Sequence, residues 1–414
     1  MHGERDESGV RIVGQSQLME IMIYDFETII DRSKTGSTKW DAMRESNPDV
    51  PPGIVPFSVA DMEFKNAPQI MRGLREYLDE GKISLGYTTF TPGYLDAVSG
   101  WMERRHNWAV DMDWLVVSPG IIAAVFCAVR AFTEPGEGVI IFSPVYYPFR
   151  MAIESGGRKL VDVPLLLSGD RYEVDWDSFD AAAKNEKNKL LLFCSPHNPV
   201  GRVWTADELN KISDICLKNS VFVVSDEIHN DLIMPGYRHT IFAELSKEAA
   251  RNSIICTSPS KSFSIAGLQI SNIFVPDKNQ REKLRTEMSR SAHFSLNAIG
   301  YKACEIAYNE CEDWLDQVIS IIAYNSRMVE RYLKEHIPDI NVIPLEGTYL
   351  QWWDCRGLFR DYKDMESFME KRAFLFFEDG YIFGDTGRGF ERINLACPTW
   401  VLEDALSRLK SALD

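Results

Sequence analysis

The stretch NSIICTSPSKSFSIAGLQISNIFV, residues 252–275, joins two apolar runs through a polar segment that holds a single lysine. Lysine usually lies on solvated helix faces beside acidic residues. Lys261 instead follows the strand-like run NSIIC and precedes a second half-buried apolar segment. These neighbours predict a buried amine, or an amine in a crevice, just beyond the end of a β-strand.

Similar β-branched runs recur through the middle of the chain, and helix-sized spacers separate them. In chain order the runs are WLVVSPG, GVIIFSP, KLVDVPLL, KLLLFCSP, VFVVSDE, SIICTSPS and SNIFVP. Near-continuous apolarity is typical of strands that are buried on both faces. The pattern therefore predicts an α/β fold with a mostly parallel seven-stranded sheet between helices.

Changes of composition along the chain predict its domain organisation. Residues 1–22 are expected to form a polar tail, and residues 23–62 are expected to contribute to a small domain. Residues 63–302 contain all the strand-like runs and are expected to form the large domain. Long helical patterns dominate residues 303–414, which we expect to form the rest of a smaller α+β domain.

Composition and charge limit the classes of function. The 414 residues are 45% hydrophobic and carry a formal net charge of −16, which argues against a nucleic-acid-binding surface. No segment approaches the roughly 20 apolar residues of a membrane span, and the first residues lack the pattern of a signal peptide. The eight cysteines are far apart and lack zinc-ligand spacing, so we expect no metal, buried reduced thiols and a cytoplasmic location.

Polar and aromatic residues follow five of the predicted strands. These segments are SPG (118–120), SPVYYP (143–148), SPHNPVG (195–201), SDEIHND (225–231) and SPSKS (258–262). Ligands of open parallel sheets bind beyond the carboxyl ends of the strands. Each segment alone is also typical of an ordinary turn or helix cap, but together they predict a ligand site at this edge.

The segment SPGIIAAVFCAVRAF predicts a phosphate-binding site at a helix start. A strand ends at Gly120 and an apolar helix follows at once, which leaves the amides of Gly120, Ile121 and Ile122 at a positive helix end. A plain strand-to-helix turn remains the alternative. The chain contains no P-loop or dinucleotide-binding fingerprint, so the phosphate is not expected to belong to ATP or NAD.

The combined residue types match the needs of pyridoxal phosphate. A crevice lysine (Lys261) can form an imine with the cofactor, and a strand-end acid (Asp226) can keep the pyridine nitrogen protonated. The aromatic pair Tyr146 and Tyr147 offers a ring face for stacking. The predicted helix-start site would hold the phosphate.

The sequence resembles the fold-type I pyridoxal-phosphate enzymes of the class I/II aminotransferase superfamily. It is more similar to the branch of cystathionine β-lyases and C–S lyases that includes a modulator of the maltose regulon. The segments that carry the resemblance are YDFETIIDRSKTGSTKWD, VADMEF, GYTTFTPGY, SPVYYPF, SPHNPVGRVWTADEL, VSDEIHNDLI, SPSKSFSIAGLQISNI, EGTYLQWWD and RINLACP. The resemblance implies an aspartate-aminotransferase-like fold with a large and a small domain.

The resemblance also implies roles for individual residues. Lys261 would form the covalent link to the cofactor, Asp226 would pair with the pyridine nitrogen, and Tyr146 would stack on the ring. The phenolic oxygen would be bound by Asn198 and His229. The phosphate would be bound by Ser258, Ser260 and the amides of Gly120, Ile121 and Ile122.

On the substrate side, the resemblance assigns Arg392 to the α-carboxylate, with Tyr147 and Ala60 close to it. Tyr87 would reach the site from a second subunit, so a homodimer is implied. Gln269 stands where many aminotransferases have an arginine that neutralises the phosphate, and this difference favours the lyase branch.

Three functions remain open at this point. A lyase would eliminate a thiol from a cysteine thioether such as L-cystathionine, whereas an aminotransferase would use the same residues to move the amino group to a keto acid. A regulatory binding protein that retains the fold is the third reading, and the complete set of catalytic residues argues against it as the sole role.

Overall fold

The computed structural model of the protein describes residues 23–79, 86–293 and 295–414. The expected polar tail, residues 1–22, lies outside the described residues. The helices are α1 Thr38–Ser46, α2 Pro68–Asp79, α3 Pro92–His106, α4 Ile121–Phe132, α5 Pro148–Ser155, α6 Trp176–Lys184, α7 Ala206–Asn219, α8 Lys247–Arg251, α9 Pro259–Ser262, α10 Lys278–Arg290, α11 Ala298–Glu310, α12 Glu312–His336, α13 Tyr362–Lys371 and α14 Thr399–Leu413. The strands are β1 Leu115–Ser118, β2 Gly138–Ile141, β3 Lys159–Asp162, β4 Leu166–Ser168, β5 Arg171–Glu173, β6 Asn188–Cys194, β7 Phe222–Asp226, β8 Ser253–Thr257, β9 Ser271–Phe274, β10 Asn341–Ile343, β11 Leu350–Asp354, β12 Glu378–Asp379 and β13 Phe390–Asn394.

A seven-stranded sheet forms the centre of the chain, in the order β1-β9-β8-β7-β6-β2-β3. Each of the seven strands comes from one of the predicted apolar runs. Strand β9 is antiparallel to both of its neighbours, and the other pairs are parallel. The predicted mostly parallel α/β sheet is confirmed.

Alternate residues of the strands enter two different cores. In β6, Leu190 and Leu192 pack in the core that contains α4, whereas Leu191 and Phe193 pack on the opposite face of the sheet. Because both faces are covered, the strands are mostly apolar at successive positions, except for the edge strand β3, in which Lys159 and Asp162 are exposed. This burial explains why the runs in the sequence show no polar alternation.

A second, four-stranded antiparallel sheet follows in the order β10-β11-β13-β12. The N-terminal segment contacts it, since Phe57 N donates to Phe376 O at 2.8 Å and Asn394 N donates to Phe57 O at 3.0 Å. Segments that precede and follow the large sheet along the chain thus lie together in the fold. The pairing of β12 with β13 also determines which side chains reach the ligand cavity.

The buried thiols and the helices agree with two further expectations from the sequence. All eight cysteines are buried, as expected, and none of them forms a disulfide. Among the helices of the described residues, none combines the length and apolarity that a membrane crossing requires.

Candidate active site

A cavity of about 300 Å³ lies at the edge of the large sheet where β1, β6 and β7 end and β9 begins. Twelve of the fourteen predicted site residues line it: Ala60, Gly120, Ile121, Ile122, Tyr146, Tyr147, Asn198, Asp226, His229, Ser260, Lys261 and Arg392. Ser258 and Tyr87 do not line it. The polar strand ends therefore converge on one site.

Lys261 lies in the short helix α9, directly after β8. Ser258 caps this helix, and its Oγ accepts a hydrogen bond from Ser260 N at 3.1 Å. The amine of Lys261 donates to the Ala60 carbonyl oxygen at 2.6 Å. Burial lowers the pKa of this amine to about 8, and the charge of Arg392 adds to the decrease while Asp61 opposes it. A lysine with this pKa can lose its proton near neutral pH, as imine formation requires.

Asp226 ends β7 and is buried, with 3% of its surface exposed. Burial raises the pKa of its carboxyl to about 7, and the hydrogen bond from Ile228 N at 3.2 Å opposes this increase. Among the described residues, no arginine or lysine forms an ion pair with Asp226. A buried acid of this kind is stabilised as a carboxylate when a ligand supplies a positively charged N–H group.

His229 and Asn198 lie on the same cavity wall. His229 Nδ1 is buried and has no hydrogen-bond partner, and burial lowers the pKa of the imidazole well below its usual value. Asn198 Oδ1 accepts a hydrogen bond from Arg392 Nη1 at 2.9 Å. Both residues thus retain polar groups that an oxygen-bearing ligand can satisfy.

The helix start that was predicted to bind phosphate differs from expectation at one amide. Gly120 N donates to Ser118 O at 2.8 Å, so it is not free as the sequence analysis assumed. The reason is the tight turn between β1 and α4, in which Gly120 has a φ of 109°. The amides of Ile121 and Ile122 begin α4 and remain at the positive end of the helix.

Ser258 also differs from expectation. Its Oγ lies 2.6 Å from Ile270 O, which can only accept, so the hydroxyl proton of Ser258 is directed there. Ser260 Oγ is 2.8 Å from Ser258 Oγ and lines the cavity. Ser258 therefore positions its neighbour Ser260, and its own hydroxyl faces away from the ligand space.

The two adjacent tyrosines form one side of the cavity at the start of α5. The ring centroids of Tyr146 and Tyr147 are 5.4 Å apart. Tyr147 is 37% exposed and lies at the open side, whereas burial raises the pKa of the more enclosed Tyr146. Both phenols are consequently neutral at physiological pH.

Arg392 has a partner that the sequence analysis did not find. Glu378 of β12 lies directly across from Arg392 of β13, and its Oε2 accepts a hydrogen bond from Arg392 Nη2 in an ion pair. Glu378 also lines the cavity. No local pattern marks this residue, because its position depends on the pairing of two strands that are separated in the sequence by a loop.

Glu378 also holds the segment that contacts Lys261. Its Oε2 accepts a hydrogen bond from Val59 N at 2.8 Å, and Asn394 Nδ2 donates to Val59 O at 2.9 Å. Val59 has a φ of 54°, which is unfavourable for a β-branched residue. These bonds hold Val59 in this conformation and place the Ala60 carbonyl over the lysine.

Known proteins resemble this chain in sequence and in fold. The family described as "Aminotransferase class I and II" matches residues 52–409. The chain belongs to this family.

Two curated relatives match nearly the whole chain. Cystathionine beta-lyase PatB of Bacillus subtilis (strain 168) is 38% identical, over 94% of this chain and 100% of the relative. Protein MalY of Escherichia coli (strain K12) is 31% identical, over 94% of this chain and 99% of the relative. The crystal structure of cystalysin from Treponema denticola, which contains a pyridoxal 5'-phosphate cofactor, superposes with a TM-score of 0.93 at 50% identity, over 95% of this chain and 99% of that structure. The family and branch inferred from the sequence are confirmed.

The cavity fits pyridoxal phosphate, the cofactor of this family. The donor set includes an amine with a lowered pKa, a buried acid without an ion-pair partner and an orphaned imidazole nitrogen. At Gly120, an added Cβ would meet no atom within 4 Å, so the backbone there borders open space. The residues of this chain are therefore suited to a ring with a cationic nitrogen, an oxygen substituent and a phosphate.

Proposed function

We propose that the protein is a pyridoxal-phosphate-dependent carbon–sulfur lyase that acts on cysteine thioethers such as L-cystathionine. The full-length similarity to a cystathionine β-lyase is the observation that carries the proposal. The presence of Lys261, Asp226 and Arg392 in one cavity supports the pyridoxal-phosphate chemistry on an amino acid, because these residues would supply the base, the ring partner and the substrate anchor.

Each cofactor contact is assigned to a residue of the cavity. Lys261 would hold the cofactor covalently, and Asp226 would pair with the ring nitrogen. Asn198 and His229 would bind the phenolic oxygen, and Tyr146 would contact the ring. The amides of Ile121 and Ile122, with Ser260, would bind the phosphate. When bound, the cofactor supplies an electron sink that acidifies the Cα–H bond of the substrate.

The substrate is anchored by its α-carboxylate. Arg392 is 3% exposed and is held in place by Asn198, while its Cζ lies 4.8 Å from the Phe383 ring centroid. A fixed guanidinium presents parallel N–H groups that match a carboxylate. Tyr147, Ala60 and Lys261 line the same cavity. A substrate anchored by Arg392 would therefore have its Cα proton close to Lys261.

Lys261 moves the proton that starts the elimination. Its amine, which would be free of the cofactor while the substrate is bound, would take the proton from substrate Cα, and the Cβ–S bond would then break with the electron pair leaving on sulfur. The thiolate takes up a proton as it departs. The overall reaction adds one water to R–S–CH₂–CH(NH₃⁺)–COO⁻ and yields RSH, pyruvate and ammonium.

The protein is further proposed to act as a cytoplasmic homodimer. Tyr87 is fully exposed in the single chain and does not reach its own cavity, which supports a role in the site of a partner subunit. The eight free thiols support a reducing compartment. Residues 63–302 are assigned to the large cofactor-binding domain, and residues 23–62 with 303–414 to the small domain.

The proposal is tested by assaying pyruvate and thiol release from L-cystathionine. Wild-type protein is expected to release both in equal amounts, and Lys261→Ala is expected to release neither because it lacks the base. Lys334→Ala, which changes an exposed lysine of α12, serves as the control and should match wild type. An active Lys261→Ala variant, or a wild type that forms neither product from any cysteine thioether, would contradict the proposal.

A further inference from the structure

Glu378 places a carboxylate in the substrate half of the cavity. Its Oε2 contacts both Arg392 Nη2 and Val59 N, and 16% of its side chain is exposed. The acid is therefore fixed between the substrate anchor and the segment that covers Lys261. None of the cofactor contacts assigned above uses Glu378.

The charges that line the cavity are few. Within the described parts of the chain, its cationic residues are Lys261 and Arg392, and its acidic residues are Asp226 and Glu378. The cofactor engages Lys261 and Asp226, so Arg392 and Glu378 determine the charge that a substrate meets. Their opposite charges are already paired with each other.

The influence of Glu378 extends to the open side of the cavity. Its negative charge contributes, after burial, to the raised pKa of the half-exposed Tyr147. The charge of Arg392 opposes this increase, so the two members of the ion pair act on the opening in opposite directions. When an α-carboxylate also binds Arg392, the local net charge becomes negative.

We propose that Glu378 selects substrates by the charge of their side chain: it favours thioethers whose distal end is cationic, neutral or zwitterionic and rejects those whose distal end has a net negative charge. This inference rests on the proposed function, since Arg392 must bind the α-carboxylate. A distal ammonium group can pair with Glu378, as the zwitterionic end of L-cystathionine would. A distal carboxylate without an ammonium group would lack a cationic partner in the described cavity and would repel Glu378.

Three substrates of similar size test the proposal: S-(2-aminoethyl)-L-cysteine, S-ethyl-L-cysteine and S-carboxymethyl-L-cysteine. Pyruvate release gives kcat/KM for each. We expect the wild type to prefer the aminoethyl over the carboxymethyl compound by about tenfold or more, the effect of two charges about 10 Å apart. In Glu378→Gln this ratio should fall about tenfold relative to wild type. Dividing the ratio of the variant by that of the wild type cancels the differences between the leaving thiols.

Asp379→Asn is the matched control. Asp379 neighbours Glu378 on β12 but does not line the cavity, and burial raises the pKa of its carboxyl to about 7. Above that pH the Asp379 side chain is charged, so Asp379→Asn also removes one negative charge. Because this charge lies outside the cavity lining, the substrate ratio should remain as in the wild type. An equal shift in Asp379→Asn, or no shift in Glu378→Gln, would overturn the inference.

The wild type alone also tests the inference, whatever the stability of the variants. A wild type that uses the carboxymethyl compound as well as the aminoethyl compound would refute charge selection and leave the lyase function intact. A wild type that forms no pyruvate from these three compounds or from L-cystathionine would instead refute the lyase function, and the inference with it.

Discussion

Arg392→Lys separates substrate binding from catalysis. The guanidinium is almost fully buried, and its Nη1 donates to Asn198 Oδ1 at 2.9 Å while Nη2 contacts Glu378. Lysine retains the positive charge but loses one of the two parallel bonds to the substrate carboxylate. A charge-assisted hydrogen bond contributes about 1.5–3 kcal/mol, so we expect KM to rise roughly 10- to 100-fold. The value of kcat should change less than about threefold, because the base and the electron sink are intact.

Steady-state pyruvate formation from L-cystathionine measures both parameters. Arg388→Lys is the control, because Arg388 is an exposed arginine that pairs with Asp385 and does not line the cavity. Thermal unfolding of each variant verifies that the fold is retained. An unchanged KM in Arg392→Lys, or a fall in kcat alone, would refute the assignment of Arg392 to the α-carboxylate.

Three further changes test other parts of the structure. Asp226→Asn should lower kcat roughly hundredfold or more while the protein remains folded, because a neutral amide no longer stabilises a protonated ring nitrogen; near-normal kcat would remove Asp226 from this role. Glu391 is buried, and burial together with the nearby Asp379 raises the pKa of its carboxyl well above the ordinary value. Folding favours the protonated form of Glu391, so the free energy of unfolding falls as pH rises above about 4.5. Glu391→Gln should therefore have a higher Tm than wild type at pH 8 but not at pH 4. The exposed control Glu173→Gln should show no such difference. Mixed and co-refolded Lys261→Ala and Tyr87→Phe subunits should regain activity, since a heterodimer contains one site with both residues intact; no recovery from two impaired parents would indicate a site built within one chain.

Much of the fold could be predicted because buried strands appear in the sequence as apolar runs. All seven strands of the large sheet appear as apolar runs, and residues such as Leu191 and Leu192 are apolar because they enter opposite cores. The direction of β9 was not predicted, since an antiparallel strand buried on both faces has the same apolar pattern. Lys261 and Asp226 could be found because they follow strands whose ends share one edge.

The features of the site that could not be predicted from the sequence depend on contacts between distant segments. Glu378 reaches Arg392 only through the pairing of β12 with β13, and Val59 is held by acceptors and donors from β12 and β13. The hydrogen bond from Gly120 N to Ser118 O depends on the exact turn. The sequence predicts residue types at strand ends, but it does not reveal which polar groups are already paired.

The fate of the substrate nitrogen distinguishes a lyase from an aminotransferase, because the same residues could serve either enzyme. Wild-type protein would be incubated with 2-oxoglutarate and with L-cystathionine that carries ¹⁵N only in the amino group of its cysteine-derived half, and the labelled products would be followed by NMR. For a lyase we expect the label to appear as free ammonium in an amount equal to pyruvate, and at the same rate when 2-oxoglutarate is omitted. Transfer of the label to glutamate, with turnover that stops when 2-oxoglutarate is absent, would contradict the lyase function and identify an aminotransferase.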